Sequence, residues 1–197
     1  MKRFVKVLLQ NPGAASLVLF TREIWANPRA MGAVFPSTPS LASRMAARVP
    51  LDREGLVVEL GGGTGAVTTA LLKHGVPPWK LVVVERSPTL ANHLRQRFPQ
   101  LQIIQGDAAQ LSHLFERPSP PINSIVSSLP LRSLHPTVTR AISHQFETLL
   151  ESGGLLIQFT YNLRGTRARL LPRFRQVSSK IVWGNLPPAR VEVFERE

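Results

Sequence analysis

The chain of 197 residues contains no cysteine, which excludes disulfide bonds, thiolate-based zinc sites and thiol catalysis. Its five histidines show no spacing typical of a metal site, so no metal is predicted. Long apolar runs are also missing. The uncharged stretch between Lys6 and Arg22 contains Gln10-Asn11-Pro12-Gly13 and falls short of the roughly 20 apolar residues of a membrane-spanning helix. The N-terminal region does not fit a signal peptide either, because Lys6 interrupts its apolar part at once and residues 10–13 break what remains.

Acidic residues are scarce as well, with 12 against 24 basic residues and a formal net charge of +12. The excess is uneven, because residues 1–50 carry +6 and residues 151–197 carry +4, while residues 101–150 are balanced. A positive surface of this kind predicts an anionic partner. Nucleic acid and anionic lipid both fit the charge, which does not separate them.

The first ten residues favour lipid over nucleic acid. Met1, Phe4, Val5, Leu8 and Leu9 fall on one helical stripe with basic residues beside it, which is the pattern of a helix lying in a membrane interface. The alternative is an ordinary amphipathic helix packed on the core. We therefore predict that residues 1–35 form membrane-docking helices and a lid, and that the membrane contacts are Lys2, Arg3, Phe4, Lys6, Leu8 and Leu9.

Helical and extended segments alternate along the rest of the chain. Helices are predicted at about 1–10, 15–27, 38–49, 65–74, 88–98, 108–115 and 134–150, and strands at 55–60, 80–85, 101–105, 122–127, 155–161, 176–183 and 190–195. Alternating β and α units predict an α/β fold with a parallel sheet covered by helices on both faces. The last two strands are joined by a Gly-Asn-Leu-Pro-Pro turn and predict an antiparallel hairpin.

A glycine cluster follows the first of these strands. Residues 57–65 read Val-Val-Glu-Leu-Gly-Gly-Gly-Thr-Gly, and Gly61, Gly63 and Gly65 permit positive φ angles and close approach of a ligand to the backbone. The next strand ends at Glu85, at the distance at which a carboxylate reaches ribose hydroxyls in Rossmann-type folds. The pattern predicts a cofactor that contains adenosine.

The glycines alone also fit the dinucleotide pattern G-x-G-x-x-A, so they leave a nicotinamide cofactor open. Glu59 inside the apolar strand, the third glycine at 65 and the Gly106-Asp107-Ala108 segment favour a different ligand. Carboxylates at the ends of buried strands are costly unless a ligand supplies donors. The structural alternative is that Glu59 accepts from local backbone amides and Asp107 only starts a helix.

These segments resemble the motifs of class I S-adenosylmethionine-dependent methyltransferases. Three further segments resemble bacterial soluble-type phospholipid N-methyltransferases, which are similar in turn to rRNA adenine dimethylases: residues 35–44 (Phe-Pro-Ser-Thr-Pro-Ser-Leu-Ala-Ser-Arg), 127–131 (Ser-Ser-Leu-Pro-Leu) and 158–161 (Gln-Phe-Thr-Tyr). The resemblance implies a Rossmann-like, seven-stranded, mostly parallel sheet with a C-terminal antiparallel hairpin in residues 36–197.

The resemblance also implies the cofactor and its contacts. S-adenosyl-L-methionine, with S-adenosyl-L-homocysteine as product, is expected to be held by Glu59, Gly61, Gly63, Gly65, Glu85, Arg86, Asp107, Ala108 and Ser127. The implied reaction is stepwise N-methylation of phosphatidylethanolamine toward phosphatidylcholine. The implied enzyme is a monomer without metal, cytoplasmic and peripheral on the inner face of the membrane, with no nucleic-acid partner.

Two segments supply the expected substrate contacts. Catalytic roles are predicted for Ser127 and for Tyr161, the only tyrosine, whose ring or hydroxyl would face the amine. The predicted substrate-binding residues are Leu129, Pro130, Tyr161 and Arg164, the last as a fork for the lipid phosphate. Tyr161 as an aromatic at the edge of the core, and the arginines as a general lipid-facing surface, stay open as alternatives.

The main rival activity is adenine N6-methylation of RNA. Enzymes that methylate adenine amines carry Asn/Asp-Pro-Pro-Tyr at the place of residues 127–131, and here Leu131 replaces the ring that would stack on a base. The leucine disfavours the RNA alternative. A catalytically silent binding protein on the same scaffold is a further alternative, and the three acidic cofactor positions argue against it.

Overall fold

The computed structural model describes residues 38–115, 120–163, 171–185 and 187–197. The predicted membrane-docking residues and Arg164 lie outside these ranges, as does the predicted boundary between residues 35 and 36, so those predictions stay predictions. Within the described ranges, no helix is long and apolar enough to cross a membrane.

The described residues form four α-helices, two short 3-10 helices and seven strands. The α-helices are α1 (Pro39–Ala46), α2 (Ala66–His74), α3 (Pro88–Arg97) and α4 (Pro136–Leu149), and the 3-10 helices are Pro78–Lys80 and Ala108–His113. The strands are β1 (Leu56–Leu60), β2 (Leu81–Glu85), β3 (Gln102–Gln105), β4 (Ile122–Ser127), β5 (Leu150–Thr160), β6 (Phe174–Val182) and β7 (Ala189–Arg196).

All seven strands belong to one sheet, in the order β3-β2-β1-β4-β5-β7-β6. The first five strands are parallel, and β7 pairs antiparallel with both β5 and β6. The carboxyl ends of β1, β2, β4 and β5 therefore meet at one edge, where α/β sheets bind ligands. The predicted α/β fold, with its C-terminal hairpin, is confirmed.

Apolar side chains cover both faces of the sheet, as expected for a parallel sheet with helices on each side. Val57 and the next residue along β1, Val58, point into different core clusters. The cluster that contains Val57 also holds the apolar faces of α1, α2 and α3. The cluster that contains Val58 is completed by α4 and by the second 3-10 helix.

Proline at the first helical position marks three of the helix starts. Pro39, Pro88 and Pro136 begin α1, α3 and α4, where the amide that proline lacks would have no partner. The residues before two of them, Thr38 and Ser87, accept hydrogen bonds from the amides of the first turn. These local signals explain why the predicted starts of α1, α3 and α4 lie within two residues of the observed starts.

Strand β5 begins earlier than the sequence suggests. The Ser-Gly-Gly segment at 152–154 predicts a loop, but β5 starts at Leu150, immediately after α4. Leu150 pairs with Ile122, and the register then shifts so that Leu155 pairs with Ser124. The positive φ of Gly153, 82°, accommodates the irregularity within the strand.

Candidate active site

The glycine loop joins β1 to α2 at the carboxyl edge of the sheet. Gly61, Gly63 and Gly65 have φ angles of 74°, 56° and 84°. A Cβ added at Gly63 would meet only the Gly61 carbonyl, at 3.8 Å, whereas a Cβ at Gly65 would lie 2.5 Å from the Phe98 ring. Gly63 therefore presents bare backbone to open space, and Gly65 is required by its packing as well as its φ.

Glu85, at the end of β2, fixes this loop in place. Its side chain is buried, with Oε2 accepting a hydrogen bond from the Gly63 amide at 2.8 Å and Oε1 accepting one from the Ser87 amide at 2.8 Å. The carboxylate thus links the glycine loop to the start of α3. Because Glu85 also lines the cavity described next, it is placed to accept hydrogen bonds from a ligand.

A cavity opens over the ends of β1, β2 and β4 and extends to α4, with about 850 Å³ of space including its mouth. Eight of the predicted site residues lie on its wall: Gly61, Gly63, Glu85, Arg86, Asp107, Ala108, Leu129 and Pro130. Four predicted residues of the described ranges are not on the wall: Glu59, Gly65, Ser127 and Tyr161. The remaining wall residues include Ser128 and an apolar side formed by Val84, Leu90, Leu134, Val138 and Ile142.

Asp107 has two structural roles at the far side of the cavity. Its Oδ1 accepts a hydrogen bond from the Ala109 amide at 2.9 Å and starts the second 3-10 helix. Its Oδ2 lies 3.7 Å from Nε of Arg86, in an ion pair open to solvent. Asp107 therefore starts a helix, as the structural alternative expects. It also lies on the cavity wall, so the two roles are compatible.

Glu59 is a buried acid of β1 whose pKa is strongly raised. It is fully buried, and neither carboxyl oxygen has a hydrogen-bond partner among those residues. Burial raises the pKa of Glu59 to about 8, and the negative charge of Glu85 adds to the rise. The Thr68 hydroxyl and amide approach the carboxyl group and lower this pKa in part, although the approach falls short of hydrogen-bond geometry. The expectation that Glu59 accepts from local amides therefore has no hydrogen bond to support it.

The end of β4 and the loop after it carry two serines, and the loop lines the cavity with Ser128, Leu129 and Pro130. Ser127 is buried and its Oγ accepts from the Leu129 amide at 3.3 Å, while Ser128 lies on the cavity wall with a buried Oγ that has no partner in the described structure. The Leu129 carbonyl accepts from the Leu131 amide at 2.9 Å and from Nε2 of Gln158 at 3.4 Å. The sequence placed Ser128 among the candidate contacts at the end of β4 but assigned the site roles to Ser127, and Gln158 was quoted in a segment without a role.

Leu131, the residue that replaces an aromatic in this loop, lies in the core. It is buried, and its carbonyl accepts from the Thr139 hydroxyl at 2.8 Å. None of the described residues on the cavity wall is aromatic. The described part of the site therefore presents no ring on which a nucleic-acid base could stack.

Tyr161 follows the last residue of β5 and packs on the side of the sheet that α1 and α2 cover. Its ring meets Phe159 edge to face, with 5.4 Å between the centroids. The hydroxyl has no hydrogen-bond partner by geometry among the described residues, and burial raises the pKa of the phenol, an effect that nearby Asn185 reduces. The structural alternative, an aromatic at the edge of the core, fits this position, and the catalytic role stays a prediction.

Residues 57–154, which hold the glycine loop, Glu85, Asp107 and the β4 loop, match the family described as "Methyltransferase domain". Residues 57–154 form a methyltransferase domain, and the chain has the fold of class I S-adenosylmethionine-dependent methyltransferases. A solved methyltransferase supports the fold: the N-methyltransferase NodS from Bradyrhizobium japonicum, in complex with S-adenosyl-L-homocysteine, superposes with a TM-score of 0.66. The two chains are 19% identical, and the similarity covers 92% of this chain and 98% of NodS.

Two kinds of curated methyltransferase are similar in sequence. The ornithine lipid N-methyltransferase of Singulisphaera acidiphila is 28% identical over 176 residues, which are 87% of this chain and 91% of that protein. The probable ribosomal RNA small subunit methyltransferase A of Methanococcoides burtonii is 32% identical over 117 residues. That match covers 58% of this chain and only 38% of the RNA enzyme.

The residues of this methyltransferase domain fit S-adenosylmethionine. Gly63 offers bare backbone beside open space, and the carboxylates of Glu85 and Asp107 stand on the same cavity wall. An apolar surface from Leu134, Val138 and Ile142 completes the cavity on the α4 side, where a flat purine can be buried. Carboxylates at one end of a cavity with an apolar wall suit the ribose and adenine of this cofactor.

Proposed function

We propose that the methyltransferase domain methylates the amine of phosphatidylethanolamine, stepwise toward phosphatidylcholine, at a membrane surface. The observation that carries the proposal is the β4 loop, where Ser128 and Leu129 line the cavity, the buried Ser128 hydroxyl has no partner among the described residues, and Leu131 is buried in the core. Such a loop can hold an amine without a base-stacking ring.

In the proposed complex, each side of the cavity wall holds one part of the cofactor. Gly61 and Gly63 would hold the methionine part, Glu85 the ribose hydroxyls, and Asp107 with Ala108 the adenine. When bound, S-adenosylmethionine supplies a methyl group that is already electrophilic because it is attached to a sulfonium. The protein must therefore mainly hold a neutral amine in line with that group.

Acceptor oxygens of the β4 loop perform that task in the proposed reaction. The Ser128 hydroxyl and the Leu129 carbonyl would accept hydrogen bonds from the amine N–H groups and so orient its lone pair. Gln158 would keep the Leu129 carbonyl in place. Tyr161 is not on the cavity wall, and burial raises the pKa of its phenol, so proton removal by Tyr161 is not part of the proposed reaction and the attraction of a methylammonium to its ring stays a prediction.

The membrane part of the proposal rests on the sequence. We propose that residues 1–35 dock on the inner face of the cytoplasmic membrane through Lys2, Arg3, Phe4, Lys6, Leu8 and Leu9, and that Arg164 meets the lipid phosphate. Docking of this kind would let the lipid headgroup reach the cavity while its acyl chains stay in the bilayer.

A second lipid substrate is favoured by one comparison. The similarity to the ornithine lipid N-methyltransferase extends over 91% of that protein, and an ornithine lipid also carries a primary amine. The same acceptors, Ser128 and the Leu129 carbonyl, would serve that amine. The similarity to the RNA methyltransferase covers 38% of its length, so it supports the shared domain rather than the RNA substrate.

Labelled methyl transfer tests the proposal. The protein is incubated with radiolabelled S-adenosylmethionine and, in parallel, with phosphatidylethanolamine vesicles, ornithine lipid vesicles or total RNA, with Glu85→Ala as the inactive control. We expect label in mono-, di- and trimethylated phosphatidylethanolamine. Label confined to ornithine lipid would show that ornithine lipid, and not phosphatidylethanolamine, is the substrate. Label confined to RNA would refute the lipid proposal altogether.

A further inference from the structure

The turn between β6 and β7 presents an exposed tryptophan at the active-site edge. Trp183 directly follows the last residue of β6, and 71% of its surface is exposed. Because β5 and β6 are both antiparallel to β7, they run in the same direction. The turn therefore lies at the edge of the sheet where β5 ends and where β1, β2 and β4 end at the cavity. Tryptophan is typical of the boundary between lipid headgroups and acyl chains.

The turn that carries Trp183 is held in a fixed position. Asn185 is buried, its Oδ1 accepts from the Thr38 hydroxyl at 2.7 Å, and its Nδ2 donates to the Pro187 carbonyl at 2.6 Å. A Cβ added at Gly184 would lie 3.3 Å from the Ser40 hydroxyl, so the turn packs closely on the start of α1. Thr38 is the first described residue, so Trp183 lies beside the point where residues 1–37 join the domain.

The sequence around this turn is positively charged. Between Glu151 and Glu192 there is no acidic residue, and seven basic residues occur. Of these, Lys180 is exposed on β6, and the Arg190 guanidinium donates to the Ser179 hydroxyl and to the Leu163 carbonyl. Leu163, in the loop after β5, is itself exposed. Apolar and cationic groups thus surround one edge of the sheet, with Lys180 on one face and Arg190 on the other. This combination fits an anionic membrane surface.

We propose that Trp183 and Leu163, with Lys180 and Arg190, form a membrane-contact surface in which the Trp183 ring enters an anionic bilayer at headgroup depth. The inference extends the proposed methylation of a lipid and rests on that proposed function. With this edge on the bilayer, the mouth of the cavity faces the headgroups. The surface is separate from the predicted docking segment at residues 1–35, and the two would act together.

A second exposed tryptophan supplies a matched control. Trp79 is 79% exposed, and it belongs to the 3-10 helix that leads into the amino end of β2, at the opposite edge of the sheet. The remaining tryptophan, Trp25, lies outside the described residues. The double variant W25F/W79F leaves Trp183 as the only tryptophan, and W25F/W183F leaves Trp79.

The two variants are mixed with vesicles of phosphatidylglycerol and phosphatidylcholine, which contain no lipid amine, and binding is confirmed by sedimentation. We expect the emission of Trp183 to shift to shorter wavelength and to be quenched by brominated acyl chains. The emission of Trp79 should stay unchanged. Unchanged Trp183 emission in sedimented protein, absence of vesicle binding, or Trp183 emission that is already blue-shifted without lipid would each overturn the inference.

Affinity measurements on the full chain provide the second test. We expect Trp183→Ala to weaken vesicle binding about tenfold, Trp183→Phe to keep most of it and Trp79→Ala to leave it unchanged. Equal affinities for all four proteins would overturn the inference. Because these vesicles have no amine, docking by Trp183 without methylation of phosphatidylethanolamine would refute the proposed function alone. Methylation of phosphatidylethanolamine with no Trp183 signal would refute the inference alone.

Discussion

Replacement of Glu59 by glutamine should change how the stability of the protein depends on pH. Glu59 lies in the middle of the sheet, with Val83 on β2 and Val126 on β4 as its register partners. Burial raises the pKa of its carboxyl group from 4.5 to about 8, so the folded protein binds its proton more tightly than the unfolded chain does. The free energy of unfolding therefore falls as pH rises.

The size of this decrease follows from the two pKa values. The wild-type protein should lose unfolding free energy as pH rises from about 4.5, the unfolded value, to about 8, the folded value. The full difference corresponds to about 5 kcal/mol as an upper bound. In Glu59→Gln the side chain does not titrate, so this component is absent and the variant gains relative to wild type with rising pH.

Urea denaturation without cofactor, at intervals between pH 5 and pH 8, measures the effect. Titrating groups that do not interact with Glu59 contribute equally to both proteins, so the difference in unfolding free energy reports Glu59 together with its coupling to Glu85. Glu54→Ala is the control, because the side chain of Glu54 is 93% exposed and its removal should leave the pH profile parallel to that of wild type. A Glu59→Gln profile that also runs parallel to wild type would refute the account of Glu59 as a buried carboxyl group that lacks hydrogen bonds.

Two further substitutions separate packing from ligand contact. Gly65→Ala would place a Cβ 2.5 Å from the Phe98 ring and should lower the unfolding free energy by about 2–3 kcal/mol, whereas Gly63→Ala should cost only about 1 kcal/mol and mainly weaken S-adenosylhomocysteine binding. Urea unfolding and calorimetry measure both, and equal stability losses would contradict the packing argument. Gln158→Leu, which removes the side-chain donor to the Leu129 carbonyl and leaves the Leu131 amide, should lower kcat several-fold, up to about tenfold, with unchanged cofactor affinity. In a steady-state assay with the best lipid substrate, an unchanged kcat would show that this hydrogen bond does not position the loop.

The glycine loop and its acids were predictable because their signals are local. A buried strand, a glycine cluster and a carboxylate at the end of the next strand fix both the parallel pairing and the edge at which they meet. The structure accordingly brings Gly61, Gly63, Glu85 and Asp107 to one cavity. The helix starts were predictable for the same reason, since proline at the first position acts on the adjoining turn.

Other parts of the site depend on geometry that the sequence does not encode locally. Which of Ser127 and Ser128 reaches the cavity depends on how the chain turns where β4 ends, and this turn places the Ser127 hydroxyl against the Leu129 amide. Tyr161 lies on the side of the sheet that α1 and α2 cover. The register of β5 decides on which side of the sheet this residue lies. The apolar wall from α4 depends on how that helix packs against the second 3-10 helix.

Titration calorimetry with S-adenosylhomocysteine tests the central claim, that the cavity between the glycine loop and Asp107 holds the cofactor. The comparison is between wild type, Glu85→Ala, Asp107→Ala and the exposed control Glu54→Ala, each checked for folding by circular dichroism. We expect wild type and Glu54→Ala to bind equally, and the Glu85 and Asp107 variants to lose about a hundredfold or more in affinity. Unchanged affinity in folded Glu85→Ala and Asp107→Ala would contradict the claim.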